Sequence, residues 1–410
     1  MTAVIQPPAT GAPPARLRTE IVGGVLGTLG FLAVPLCVGL LAFAPLGAGA
    51  GAVGLVAAFV ATAIGGLVHA AFSRARLPAA GPNSATALML AGLLSALTAD
   101  PRLAPGQPDT LPVLLAGCAL AVALAGVIQV MLAAGGLAGL ARLVPRPVLA
   151  GFMNGVALLI ILAQVPLLLG ALPGQPADGA RLAAALAQPL PLLLALAALA
   201  SLLALQRLRP QWPAAALVLV AGTALAQALP ALHAGWSAGP TIGPVPVRPP
   251  DPLALLPLLR PAAWPLLADH AATLVGTGLV IALVGGLESL LSQQALDEHM
   301  QTRHEPAREL AALGVANVVT GLLGGLPVVQ TRVRALATWR AGGSRALATV
   351  AGSLAVGGVY VAGAPLLALL PLALLAATMV VAGIGLADGW SGRLLRHGWR
   401  GDTSAELRTA

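Results

Sequence analysis

Three ionisable side chains stand where this chain can least accommodate them. Glu288 lies near the end of the apolar run that begins after Asp269 and His270, and Arg332 and Arg334 follow Pro327 within two turns. An arginine at the centre of a bilayer costs at least about 2.5–3.5 kcal/mol on insertion scales, so it must face protein, water or a partner. A carboxylate carries a like cost unless it is paired or protonated. At i and i+2 the two arginines cannot share one helix face, so one is expected to face a cavity while the other snorkels toward water. A guanidinium offers a planar fork of donors that suits an oxyanion. The acid then either titrates or neutralises an arginine; the third reading is an interfacial glutamate at a helix end.

Two interrupted segments accompany these charges. GPNSATAL at 81–88 opens on Gly81 and Pro82 and carries Asn83, Ser84 and Thr86, and GGLPVVQTRVRAL at 324–336 opens on two glycines and Pro327. On one reading both are discontinuous helices that meet near the midplane, with their positive N-terminal ends aimed at an anion. On the other, Pro82 and Pro327 mark ordinary helix starts at the interface, where proline in the first turn costs no hydrogen bond. Both readings stand on the sequence.

The elements that must position these groups follow from composition. The chain of 410 residues is 58% hydrophobic and 9% charged, against about 25% charged in a soluble domain. No charged residue occurs from Ile21 to Ser73, from Leu111 to Ala141, from Pro147 to Ala177 or from Ala346 to Ala387. A spanning helix needs about 20 apolar residues, so the chain reads as an all-α polytopic membrane protein with about twelve segments. They fall near 21–47 (broken by Pro35), 51–71, 77–97, 112–140, 147–169, 182–205, 212–229, 271–291, 307–322, 328–339, 346–361 and 366–386, with a Pro- and Gly-rich linker at 230–262. All 22 basic residues are arginine. With the N-terminus cytoplasmic, only Arg102, Arg181, Arg248 and Arg260 fall in outward loops, so the positive-inside rule places both termini in the cytoplasm of a bacterial inner membrane. Residues 1–15 read as a disordered tail, 16–390 as the membrane domain and 391–410 as a cytoplasmic tail.

Other chemistries find no support. There is no basic stripe interleaved with aromatics, hence no nucleic-acid partner. Cys37 and Cys118 lie in apolar runs and suggest neither a disulfide nor a metal site. HExxH does not occur and no paired aspartates lie across the spans, so no catalytic residue and no cofactor is expected. His304 reads as a loop histidine and Asp269–His270 as a helix start.

In TEIVGGVLGTLGFLAVPL, GPNSATAL, VPRPVLAGFMNGVALLIILAQ and above all ESLLSQQALDEHMQTRHEPARELAALGVANVVTGLLGGLPVVQTRVRALATWRAG, the chain resembles the SulP anion permeases, relatives of the SLC26 anion exchangers. The resemblance implies two inverted repeats forming a core and a gate domain, with an anion held between the third and tenth segments. Here that places the site at Gly81, Pro82, Asn83, Ser84, Ala85 and Thr86, facing Pro327, Val328, Val329, Gln330, Thr331 and Arg334. Glu288 matches an acid tied in some members to proton coupling, and Arg332 is a candidate for pairing with it. The implied function is secondary active transport of sulfate, bicarbonate or chloride, coupled to protons or sodium, by a homodimer. Departures follow Pro327, where the family shows Thr, Gly, Ser and Phe. Members also have fourteen segments and a STAS domain, so a separate polypeptide supplying two segments and that domain is a further expected partner. The rival readings are a nucleobase permease of the same fold and a non-transporting membrane subunit.

The orientation is directly testable. A reporter active only in the cytoplasm, fused to Ala410, is expected to give signal; full-length protein in the membrane without signal refutes the assignment.

Overall fold

The computed structural model describes residues 17–386 apart from 48–49, 105–109, 140–145, 173–174, 176–177, 210–211, 213, 233–236 and 244–262. The expected tails at 1–15 and 391–410, and most of the 230–262 linker, lie outside the described residues. In chain order the elements are α1 (Leu17–Gly30), α2 (Ala33–Phe43), α3 (Gly51–Val60), α4 (Gly66–Phe72), β1 (Ala80–Pro82), α5 (Ser84–Thr98) and α6 (Thr110–Ala134). There follow α7 (Arg146–Leu168), α8 (Gly179–Ala187), α9 (Leu190–Leu208), α10 (Ala214–Leu232) and α11 (Trp264–Asp269). The chain continues through α12 (Ala271–Met300), α13 (Pro306–Leu322), β2 (Val328–Gln330), α14 (Arg332–Arg340), α15 (Ala346–Ala368) and α16 (Leu372–Leu386).

Among the described residues, five helices are long and apolar enough to cross a membrane, and α1 with α2, bent by 42°, makes a sixth when taken as one span. The bend sits at the residues before Ala33. Phe31 is four residues before Pro35, and a proline ring clashes with the carbonyl at that spacing. The helix α3 continues into α4 through a π-helical turn at Ala61–Gly65. Shorter apolar helices include α5, α16 and most of α7 and α10.

Several segment boundaries differ from hydropathy. The expected segment at 182–205 is two helices, α8 and α9, parted around Pro189. The eighth segment runs on to Met300, where amide–carboxylate pairs one turn apart, Gln293 to Asp297 at 3.1 Å and Gln294 to Glu298 at 3.5 Å, support the polar last turns. The eleventh continues through Pro365 to Ala368. The largest change is at the two proline-opened stretches: the backbone around Pro82 and after Pro327 is a pair of strands, and the helices begin only at Ser84 and Arg332.

The order of elements repeats. Two spans, then a strand with a short helix, then a further span occur as α1–α2, α3–α4, β1–α5 and α6, and again as α12, α13, β2–α14 and α15. The two strands pair antiparallel, so the corresponding stretches run in opposite senses, as inverted repeats require.

The halves are joined by close backbone packing. A Cβ on Gly23 or Gly24 of α1 would collide with the backbone of Gly343 or Ala348. Between α6 and α13, a Cβ on Gly126 would lie 2.5 Å from the Gly314 carbonyl oxygen, and one on Gly314 2.6 Å from that of Gly126. Helices in lipid gain little from burying apolar surface, so small residues that let backbones approach hold them together. Two carboxylates fasten helix ends and the loops beside them. Glu20 accepts from the Ser344 and Arg345 N–H groups at 2.8 and 3.0 Å, closing the start of α15. Glu309 accepts from the Arg74 and Ala75 N–H groups at 2.9 and 3.0 Å and from the Ser73 hydroxyl.

A Gly314→Val variant is therefore expected to lose about 1–3 kcal/mol or more through overpacking, seen as a lower thermal midpoint in detergent. Gly276→Val is the control, since nothing lies within 4 Å of a Cβ there. Equal midpoints for the two variants refute the packing account.

Candidate functional site

The strand pair occupies the centre of the site. A residue before proline is pushed toward extended backbone, which biases Gly81 and Leu326, and the β-branched Val328 and Val329 favour a strand. The register sets Ala80 opposite Gln330, Gly81 opposite Val329 and Pro82 opposite Val328. Extended backbone at membrane depth persists only where protein satisfies it, and here it does. Asn317 of α13 accepts the Val328 N–H at 2.7 Å and donates to the Val328 carbonyl at 3.1 Å. The Ser289 hydroxyl of α12 accepts the Gln330 N–H at 2.9 Å. The Thr331 N–H donates to the Ala79 carbonyl at 3.3 Å.

Because the strands are antiparallel, α5 and α14 leave the pair at opposite ends, and both helix N-termini converge on it. Asn83 caps α5, its Oδ1 accepting the Ala85 N–H at 2.7 Å. The Thr86 hydroxyl returns to the Asn83 carbonyl at 3.2 Å. Thr331 precedes α14 without a side-chain cap bond, and its buried hydroxyl has no hydrogen-bond partner.

The charges divide between the two ends. Glu288, 8% exposed, accepts from the Asn83 Nδ2 at 2.6 Å through Oε1, while Oε2 has no partner. Arg334, 2% exposed, donates from Nη1 to the Ala80 carbonyl at 2.6 Å, and its Nη2 is buried without a partner. Its Nη1 lies where a Cβ of residue 81 would be, so only glycine lets the guanidinium lie against the strand. Arg332, by contrast, is exposed. Among the described residues no ion pair joins Glu288 to either arginine, contrary to the expected charge pairing. The intervening strands give each charge a neutral partner first: an amide for the acid and a main-chain carbonyl for the base. Glu288 is likewise no helix-end residue, since α12 continues for three more turns.

Of the expected site residues, Gly81, Pro82, Asn83, Ala85, Thr86, Pro327, Val328, Val329 and Gln330 are buried at the strand pair, and Ser84 and Thr331 are half-buried. Gln330 differs in kind, because its side chain is committed to protein: its Oε1 accepts the Ala79 N–H at 2.6 Å. Sequence reasoning passed over Asn317, Gln129 and Ser289, all buried. The available signal was an uncharged amide inside an apolar run, at Gln129 and again at Asn317. His304, read as a plain loop residue, sits 2.7 Å from a buried Asp297 oxygen. Among the described residues no cluster of three His, Cys, Asp or Glu side chains is arranged to hold a metal.

Comparison with known proteins agrees with this architecture. A probable sulfate transporter of Mycobacterium tuberculosis is 30% identical over 332 residues, covering 78% of this chain and 54% of that protein. The bicarbonate transporter BicA of Synechocystis is 25% identical over 279 residues, covering 65% of this chain and 46% of that protein. The chain thus spans about half the length of the curated relatives it matches. The solved transmembrane domain of a cyanobacterial bicarbonate transporter BicA has the same fold, with a TM-score of 0.72 at 24% identity over 91% of this chain and 90% of that one. The model of the sulfate permease family matches residues 17–404, and the chain belongs to that family.

Proposed function

We propose that this chain carries a small inorganic oxyanion, sulfate or bicarbonate, across a bacterial inner membrane, with the anion bound at the strand pair. One observation carries the reading: Arg334 is buried among the strands with an N–H-bearing nitrogen left without a partner. An unsatisfied buried donor costs about 1–3 kcal/mol, more when charged, and an oxyanion supplies the missing acceptor. The N-termini of α5 and α14 add partial positive charge at the same place. Kinship with a probable sulfate transporter and with the bicarbonate transporter BicA supports the anion class.

Glu288 gives the site a second function. Its Oε2 is free to take a proton, and protonation there removes the negative charge nearest the anion. Proton-coupled entry of the anion follows: the site binds anion and proton together and releases them together. Asn83 links the two, since it caps the helix that faces the anion and donates to the acid.

The test is uptake of radiolabelled sulfate and of bicarbonate into proteoliposomes at two pH values. Arg334→Gln is expected to raise the apparent KM about tenfold or more, the value of one charge-assisted hydrogen bond, without loss of folded protein. An unchanged KM removes Arg334 from the site. Glu288→Gln is expected to retain anion exchange while abolishing the pH dependence of uptake. A pH profile like that of wild type shows that the proton is carried elsewhere. Wild-type protein that moves neither anion defeats the transport reading, and uptake of a nucleobase in its place selects the rival permease.

A further inference from the structure

Gln330 closes β2 opposite Ala80, yet its side chain has nothing left to offer a bound anion. Its side chain is 2% exposed. Its Oε1 accepts the Ala79 N–H at 2.6 Å, and its Nε2 donates to Gln293 Oε1 at 2.9 Å and to the Leu77 carbonyl at 3.4 Å. A primary amide has two N–H donors, and both are used. The residue's own main-chain N–H goes to Ser289. Gln293 passes the linkage on, donating to Asp297 Oδ1 at 3.1 Å near the cytoplasmic end of α12.

A second amide braces the same strand from the other side. Asn317, fully buried, holds both main-chain groups of Val328 and donates to Gln129 Oε1 at 2.8 Å. Gln129 of α6 in turn donates to the Ala282 carbonyl of α12 at 3.3 Å. Strand β2 is thereby tied to α13 and α6 through Asn317, and to α12 and residues 77–79 through Gln330.

We propose that Gln330 is a positioning residue for the anion site. Its amide locks β2, the segment leading into β1 and α12 into one body. Ala79 is gripped at both main-chain groups, its N–H by the Gln330 side chain and its carbonyl by the Thr331 N–H. The next residue, Ala80, supplies the carbonyl that anchors Arg334. Loss of the Gln330 amide leaves the Ala79 N–H unpaired inside the protein and frees the Arg334 anchor to shift. The guanidinium then no longer sits ready over Gly81, and anion affinity falls while the turnover machinery stays in place. The functional half of this proposal rests on the anion-transport reading; the structural half does not.

The experiment uses the purified full chain as wild type, Gln330→Ala, Gln330→Glu, Gln293→Ala and the double variant Gln330→Ala with Gln293→Ala. Amide hydrogen exchange, which reports local opening, is followed by mass spectrometry in detergent. In Gln330→Ala, exchange in peptides covering 76–83 and 326–332 is expected to rise about tenfold, with peptides from α9, α10 and α16 unchanged. Gln330→Glu keeps the acceptor for Ala79 but loses both donors, so it is expected to fall between wild type and Gln330→Ala. The double variant is expected to add little to Gln330→Ala, because the two side chains share one hydrogen bond. In proteoliposomes the apparent KM for the transported anion is expected to rise about tenfold with Vmax within about twofold. Unchanged exchange at 76–83 and 326–332 overturns the proposal, as does a rise spread evenly over all helices. A fall in Vmax at constant KM overturns it as well. Wild-type protein that transports neither anion defeats the transport reading alone, and the exchange pattern then decides whether Gln330 holds the strands.

Discussion

Main-chain polar groups at the depth of a bilayer have no water to turn to, and most of this structure can be traced to how two three-residue strands meet that constraint. An isolated strand pair has two unpaired edges, and each edge group left bare in an apolar setting costs about 1–3 kcal/mol. The chain answers with side chains brought from two helices, α13 and α12, and from β2 itself. Asn317 imitates a neighbouring strand at Val328, Ser289 takes the Gln330 N–H, and Gln330 reaches back to Ala79. Each of these groups must arrive within hydrogen-bonding distance at once. The helices that carry them are accordingly packed backbone to backbone, with glycine at the α6–α13 contact and along α1.

The same economy explains the arrangement of charge. A buried ion pair between Glu288 and Arg334 would satisfy both groups and would leave neither able to act. Breaking such a pair for each passing ligand is costly, because it exposes an uncompensated charge. The fold keeps them apart by giving each a neutral partner that satisfies part of its bonding capacity. Asn83 serves the acid and the Ala80 carbonyl serves the base. One oxygen and one nitrogen remain unspent, at Glu288 Oε2 and Arg334 Nη2. With the helix N-termini of α5 and α14 close by, the region is polarised without being neutralised, which suits an anion that must be bound and let go.

Two peripheral carboxylates follow a different rule from the central one. Glu20 and Glu309 are also buried, but each is saturated by main-chain and hydroxyl donors at a loop or a helix start. They secure the start of α15 and the loop after α4 and have little capacity left over. Counting partners therefore separates the saturated acids from the one with an oxygen to spare more clearly than burial does, since all three are nearly inaccessible.

Hydropathy and arginine spacing by themselves determined that this is a polytopic helical membrane protein, roughly where its segments lie, and that Glu288 and Arg334 occupy costly positions. These are local properties: an apolar run of a given length spans a bilayer whatever surrounds it, and a charge within it needs an explanation wherever it goes. Only the tertiary structure decided what Pro82 and Pro327 begin, because a strand at that depth is viable only with a second strand to pair with. The same holds for which arginine turns inward, and for the assignment of Gln330 to the scaffold and not to the ligand. The bonds that settle these points join residues 205 apart for Asn83 and Glu288, 251 apart for Ala79 and Gln330, and 254 apart for Ala80 and Arg334. No periodicity along the chain encodes such a partner; it exists only once two inverted halves have been folded against each other.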